Sequence, residues 1–234
     1  MPAGVVRENL HLRRMKMKKK FVTGVLSIFV FCSVVMGCAT ATTGTNENKA
    51  DFYFDRGQRY MEKGDLDRAI ADFTEVIRLA PDAFNAYILR SSIYYKKEDF
   101  DRAIADYTQI IRLTPLVTDD AKYVQAYLYN FYCLRGEAHL GILNRIHQSE
   151  EAQESKEARK AREIDLAIVD FTEAIKLNNT DKRAYIGRGT AYMTMQDVDR
   201  SIADFEKVIE LDPKNVMAID ALVALKFNLL MGGN

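Results

Sequence analysis

An all-α fold is predicted, a stack of helical hairpins closed by a C-terminal helix, and three observations predict it. A nine-residue segment recurs four times, as DLDRAIADF at 65–73, DFDRAIADY at 99–107, EIDLAIVDF at 163–171 and DVDRSIADF at 197–205. Within these stretches apolar residues fall at helical spacing, as at Ile70, Phe73 and Ile77. Four prolines and twelve glycines in 234 residues are too few turn formers for an all-β chain.

The elements follow in chain order. Residues 1–37 carry Arg7, Arg13, Arg14, Lys16, Lys18, Lys19 and Lys20 against one acid, Glu8. The basic run precedes a short apolar stretch, FVTGVLSIFVFCSVVMG at 21–37, which is the order of an export signal. Seventeen apolar residues are also just enough to span a bilayer, so an uncleaved anchor is the competing reading. Starting at Met15 or Met17 places MKMKKK directly before the apolar run, and we expect the true start there.

Cys38 closes the apolar run behind Val35-Met36-Gly37. This resembles the lipobox of bacterial lipoproteins, with Met36 departing from the small or β-branched residue usual at its place. The resemblance implies lipidation of Cys38, cleavage before it, and a lipid-anchored protein of the bacterial envelope. Ala39 resembles an outer-membrane sorting signal, with the body facing the periplasm. Ala39-Thr40-Ala41 would instead suit ordinary signal cleavage. Residues 38–49 are small and polar and read as a flexible tether.

The remainder, 38–234, holds 26 basic and 32 acidic residues, a net charge of about −6, which disfavours binding to a phosphate backbone. Once Cys32 leaves with the signal and Cys38 is acylated, Cys133 has no cysteine to pair with. It reads as a small buried hydrophobe.

The four copies start 34, 64 and 34 residues apart. A 34-residue period resembles the tetratricopeptide repeat, a helix–turn–helix unit. The family's aromatic, Gly and Tyr of the first helix, and Ala, aromatic and Pro of the second, are here Tyr53, Gly57, Tyr60, Ala69, Phe73 and Pro81 in the first repeat. In the second they are Tyr87, Ser91, Tyr94, Ala103, Tyr107 and Pro115. In the third they are Tyr132, Gly136, His139, Ala167, Phe171 and Asn179. In the fourth they are Tyr185, Gly189, Tyr192, Ser201, Phe205 and Pro213. Ser91, His139, Asn179 and Ser201 depart from the pattern. The repeats are expected at 50–83, 84–117, 118–181 and 182–215, each second helix ending at its Pro. Small residues let paired helices approach and aromatics fill between units, so stacking creates one continuous core.

The third repeat carries two insertions. Eleven residues are added after Pro115, and nineteen between Gly136 and Ala167. The second contains NRIHQSEEAQESKEARKAREI, rich in good helix formers and free of Gly and Pro. It predicts two elongated helices turning near 148–151, each longer by about nine residues and projecting roughly 14 Å, with the charges on a solvated face. Val216, Ile219, Leu222, Val223 and Leu230 are too apolar for a free tail, so residues 216–234 read as a capping helix packed on the fourth repeat, with apolar surface left for self-association.

In the family, first helices line a concave groove that holds a protein or peptide partner. Carried over by position, the groove candidates are Phe54, Gln58 and Met61; Ile88, Ser92 and Tyr95; Glu137 and Leu140; and Ile186, Thr190 and Met193. Some members clamp a terminal carboxylate with Lys and Asn. Here Phe54, Gln58, Leu89, Asn130 and Leu134 stand at those positions, so an apolar or amphipathic segment fits better. No phosphate loop, H-E-x-x-H or G-x-S-x-G pattern occurs, and neither catalytic residues, metal nor cofactor is expected. Gly187-Arg188-Gly189 reads as close helix packing. The function expected is a membrane-anchored protein-interaction scaffold in envelope assembly. The alternatives are a self-associating structural lipoprotein, through the C-terminal helix or the third-repeat projection, and an accessory subunit of an enzyme.

Overall fold

The computed structural model describes residues 46–231; the export segment and Cys38 lie outside the described residues. Within them the chain forms nine helices and no strand. In order they are α1 (Asn46–Glu62), α2 (Leu66–Leu79), α3 (Phe84–Lys96), α4 (Phe100–Val117), α5 (Ala121–Gln148), α6 (Gln153–Leu177), α7 (Lys182–Thr194), α8 (Val198–Leu211) and α9 (Val216–Leu230). Each helix packs on its neighbours in sequence, and α5 also touches α7. This is the contact pattern of a solenoid whose odd helices form one layer and whose even helices form the other.

The repeated residues build the core. Ala69, Phe73 and Val76 on α2 are buried, as are Ala103, Tyr107 and Ile110 on α4, Ala167, Phe171 and Ala174 on α6, and Ser201, Phe205 and Val208 on α8. Four apolar clusters result, each drawing on adjoining helices and all made from residues of this unit. The 46–234 segment thus has its own core and the means to fold alone.

Glycines set the closest approaches. A Cβ at Gly57 would lie 2.9 Å from the Phe73 ring, and one at Gly187 only 2.3 Å from Phe171. The Gly187 contact brings α7 onto α6 and accounts for the G-x-G at 187–189.

The departures from the repeat pattern are each satisfied. Ser91 Oγ donates to Ile88 O at 2.9 Å, and Ser201 Oγ crosses its hairpin to Gly189 O at 2.9 Å. Asn179 keeps the backbone role of Pro81: its carbonyl accepts from Tyr185 Oη as that of Pro81 accepts from Tyr87 Oη.

Turns between paired helices repeat as well. Gly64, Glu98 and Gln196 occupy the same repeat position and all have positive φ, at 77°, 58° and 61°. Only the first repeat places there the residue that adopts this region without strain. Asp65 and Asp197 then cap α2 and α8 by accepting from Arg68 N and Arg200 N. Asp99 stands at the same position without that cap hydrogen bond, and all three aspartates pair with the Arg three residues on, Asp99 with Arg102 at 3.1 Å.

Three expectations are corrected. Pro81 and Pro213 follow their helices, but Pro115 lies inside α4, which runs on to Val117. Proline removes one backbone hydrogen bond, a modest loss this close to a helix end. The neighbouring Thr114 is buried and its Oγ1 donates to Ile110 O at 2.7 Å. Second, the long hairpin is unequal. Aligned on the repeat aromatics, α5 ends seven residues later than α3 or α7, and α6 starts eleven residues earlier than α2 or α8. The α5 helix also starts eight residues early, so the insertion after Pro115 is mostly helix. The turn falls at 149–152. Near its base the projection leans on the second repeat: Phe100 packs where a Cβ at Gly141 would lie 2.6 Å away, and Arg145 reaches Asp101 at 3.1 Å. Glu150, Glu154, Glu157 and Arg162 face solvent.

Third, of the five apolar residues named for α9 only Leu222 packs against the core. Ala218 and Leu225 are buried against the fourth core cluster, with Ala221 and Leu222 beside them. Val216, Ile219, Val223 and Leu230 are exposed. Helical phase puts Ala218 and Ala221 inward beside Leu222 and Leu225, and the two alanines let α9 lie close to α8.

Candidate functional site: the inner helix layer

The groove candidates stand on α1, α3, α5 and α7, one group per repeat. None of them is buried. Phe54 packs edge-on against Phe73 at a centroid distance of 5.8 Å, and Met61 leans on the same cluster. Ile88 and Tyr95 flank the second cluster, Tyr95 stacking edge-on to Phe100 at 5.5 Å. Leu140 and Ile186 sit against the third and fourth clusters. Each of these side chains has one side in the core and one free. Ser92 and Met193 are exposed, Met193 at 41%. The Ser92 and Thr190 hydroxyls turn back onto their own helices, at Leu89 O and Ile186 O. Gln58 is half-buried on α1.

The centre of the layer is polar and already paired. Arg183 on α7 reaches Glu137 on α5 through two hydrogen bonds, 2.7 and 2.8 Å, linking the first helices of consecutive repeats. Tyr95 lies in the field of both groups. Burial, reinforced by the Glu137 carboxylate, holds its hydroxyl pKa above the ordinary value, while Arg183 opposes. Burial disfavours the charge on Arg183, but the hydrogen bonds to Glu137 and the attraction of its charge together outweigh burial and keep the guanidinium protonated. A guanidinium whose charge is already balanced by Glu137 attracts an incoming carboxylate less than an unpaired one would.

Beneath this centre Cys133 is completely buried. Burial pushes its thiol pKa up to about 11, so it stays protonated and unreactive at neutral pH.

A second, repeat-wide set escaped the sequence reading. Arg56 grips Asp72, Arg90 grips Asp106, Arg135 grips Asp170 and Arg188 grips Asp204, each by two hydrogen bonds of 2.6–2.9 Å. Each pair ties the first helix of a hairpin to the second. Arg90, Arg135 and Arg188 also donate to Thr74, Thr108 and Thr172 of the preceding repeat. The signal was in the sequence: an Arg directly before Gly57, Ser91, Gly136 and Gly189, and an Asp directly before each second-helix aromatic, in phase four times.

The third repeat departs locally. The other three stack an Arg over Tyr60, Tyr94 and Tyr192. His139 and Leu166 stand at those positions, and His139 Nδ1 instead meets Glu163 Oε2 at 2.7 Å, both groups largely buried. Among the described residues, no three His, Cys, Asp or Glu side chains are placed to hold a metal ion.

These features define a class, the two-layer helical-hairpin solenoid whose inner layer offers a continuous surface. The tetratricopeptide repeat model matches residues 54–117 and again 183–215, so the chain carries tetratricopeptide repeats at both ends of the array. Solved structures agree on the fold. The crystal structure of MamA protein superposes with a TM-score of 0.60 at 21% identity, covering 80% of this chain and 85% of that one. MamA 41-end from Desulfovibrio magneticus RS-1 gives 0.57 at 18%, covering 80% and 87%. Among curated proteins, DnaJ homolog subfamily C member 7 of Homo sapiens is 38% identical over 53 residues, 23% of this chain and 11% of that protein. Hsp70-Hsp90 organizing protein 2 of Arabidopsis thaliana is 33% identical over 78 residues, 33% of this chain and 14% of that protein. The match therefore spans a small part of these relatives.

Proposed function

We propose that this chain is a lipid-anchored scaffold of the bacterial envelope, tethered at Cys38 and holding an apolar or amphipathic segment of a partner protein along its inner helix layer. One observation carries the binding half. The groove candidates on four successive first helices are all accessible, although their neighbour Cys133 is fully buried. A row of half-exposed apolar side chains around a closed ion pair suits an amphipathic segment better than a free carboxylate. Met61 and Met193 at its two ends supply adaptable contacts. The relatives among co-chaperone organizers support a partner-binding role at the level of the repeat alone.

The anchoring half rests on the lipobox resemblance at Cys38 and the basic-then-apolar order before it. Among the described residues no helix is long and apolar enough to cross a membrane. Attachment through acyl chains at the tether accounts for a membrane address with a helical body.

Two measurements test the reading. Mass analysis of the mature amino terminus is expected to find an acylated Cys38, and Cys38→Ala is expected to shift the protein out of the membrane fraction. An unmodified Cys38 sinks the anchor. Partner capture by the 46–234 segment is expected to fall in a Tyr95→Ala, Met193→Ala variant and to persist in Glu210→Ala, which alters the outer layer. Equal capture by both variants sinks the groove.

A further inference from the structure

The surface least explained by a partner-binding groove is the outer face of α9. Val216, Ile219, Val223, Phe227 and Leu230 are exposed by 68, 40, 64, 58 and 85%. At 100° per residue all five lie within about 40° of the Val223 direction. Ala218 and Leu225, which bury α9 on α8, point the opposite way. The result is an exposed apolar stripe roughly 21 Å long, the kind of contiguous patch that marks an interaction surface.

We propose that this stripe docks the same stripe of a second copy, with the two α9 helices antiparallel and centred on Val223. The pattern of the helix is close to palindromic about that residue. Antiparallel pairing sets Val216 at the level of Leu230, Ile219 at the level of Phe227, and Val223 against itself. The charges at the stripe's edges, Asp220 and Lys226, are three residues either side of Val223. In the symmetric pair Asp220 of one copy comes to the level of Lys226 of the other, twice, with opposite signs on opposite edges of the seam. Parallel pairing would set Asp220 beside Asp220 and Lys226 beside Lys226, which repel. Lys226 is turned to Glu206 of its own chain at 2.8 Å.

Two other occupants fit less well. A membrane surface favours a helix flanked by several Lys and Arg, and α9 has Lys226 as its one cation. The opposite end of the array offers α1 with Asp51, Asp55, Arg59 and Glu62 exposed, a charged face that would be desolvated against an apolar one. A single helix pair buries less than the roughly 800 Å² per partner of a standard stable interface, so the dimer is a weak one.

Sedimentation of the 46–234 segment between about 1 and 500 µM tests this. A monomer–dimer equilibrium is expected, and Val223→Glu is expected to weaken it by about tenfold or more by placing two carboxylates at the dyad. Residue 223 faces solvent in the single copy, so unchanged far-UV circular dichroism verifies that the variant folds. Orientation is read by oxidation of cysteine variants against the buried Cys133. Val223→Cys is expected to cross-link to itself, and Val216→Cys to Leu230→Cys in a mixture. In an antiparallel pair two 216 positions lie about 21 Å apart, beyond disulfide reach. A monomer at every concentration, self-cross-linking of Val216→Cys, or binding of the monomer to lipid vesicles without dimer would each overturn the proposal.

Discussion

At the scale of single residues, the Arg–Asp pair inside each hairpin separates repeats that look alike in sequence. Asp170 is 2% exposed and its partner Arg135 20%, whereas Arg56 is 38% exposed above Asp72. Removing a carboxylate strands its partner, and the cost depends on whether water can reach the stranded group. Asp170→Ala is expected to destabilise by about 3 kcal/mol and Asp72→Ala by about 1 kcal/mol, read as shifts in urea midpoint. Equal losses would show that accessibility of the arginine does not set the cost. Cys133 gives a pH prediction. Its pKa is raised from 9.0 to about 11 by burial. A raised pKa means the folded state prefers the protonated thiol, so this contribution is whole below pH 9 and is lost as pH climbs toward 11. Native protein is expected to resist a thiol reagent at pH 8 and to react fully once unfolded in urea. Rapid labelling of the native form would contradict the burial.

At the scale of elements, the turn between paired helices is where local conformation and residue type disagree. Gly64 meets its φ of 77° without strain, while Glu98 and Gln196 hold φ near 60° with a Cβ in the way. Glu98→Gly and Gln196→Gly are each expected to stabilise by about 0.5–1 kcal/mol, and Gly64→Ala to destabilise by about 1 kcal/mol. Thermal melts of the three variants check the signs; destabilisation by both Gly substitutions would mean the Glu98 and Gln196 side chains contribute more than the turn costs. The long α5–α6 hairpin has no such turn, because its insertion replaces the tight connection with two helical extensions meeting at 149–152.

At the scale of the whole molecule, stability passes from neighbour to neighbour. Each core cluster adjoins the next, and α9 covers the last one through Ala218 and Leu225. Ending the chain at residue 215 uncovers Phe205 and Val208. Hydrogen exchange is expected to show α7 and α8 losing protection first while α1–α4 keep theirs, the behaviour of a nearest-neighbour array. Loss of protection along the entire array at once would mean it unfolds as a single cooperative unit.

Sequence alone determined the helical class, the period, the hairpin count and the elongated third hairpin. Each rests on local physics: helical spacing of apolar residues, small residues where helices touch, and an insertion built from helix formers. It also carried the Arg–Asp pairs in plain view. They went unread because a charged residue on a helix looks solvent-facing until its partner across the hairpin is known. Other outcomes needed the packed molecule. Whether Pro115 stops α4 depends on what lies beyond it, and how the insertion divides between α5 and α6 depends on where Phe100 and Asp101 meet the projection. Which face of α9 turns inward was ambiguous because that helix is apolar nearly all round, so periodicity had no polar face to mark. The inner layer is the clearest case. Position in the repeat named its residues, but the closure of Arg183 by Glu137 beside Tyr95 joins three helices from three successive repeats. No local pattern encodes such a contact; only stacking the hairpins brings those groups together.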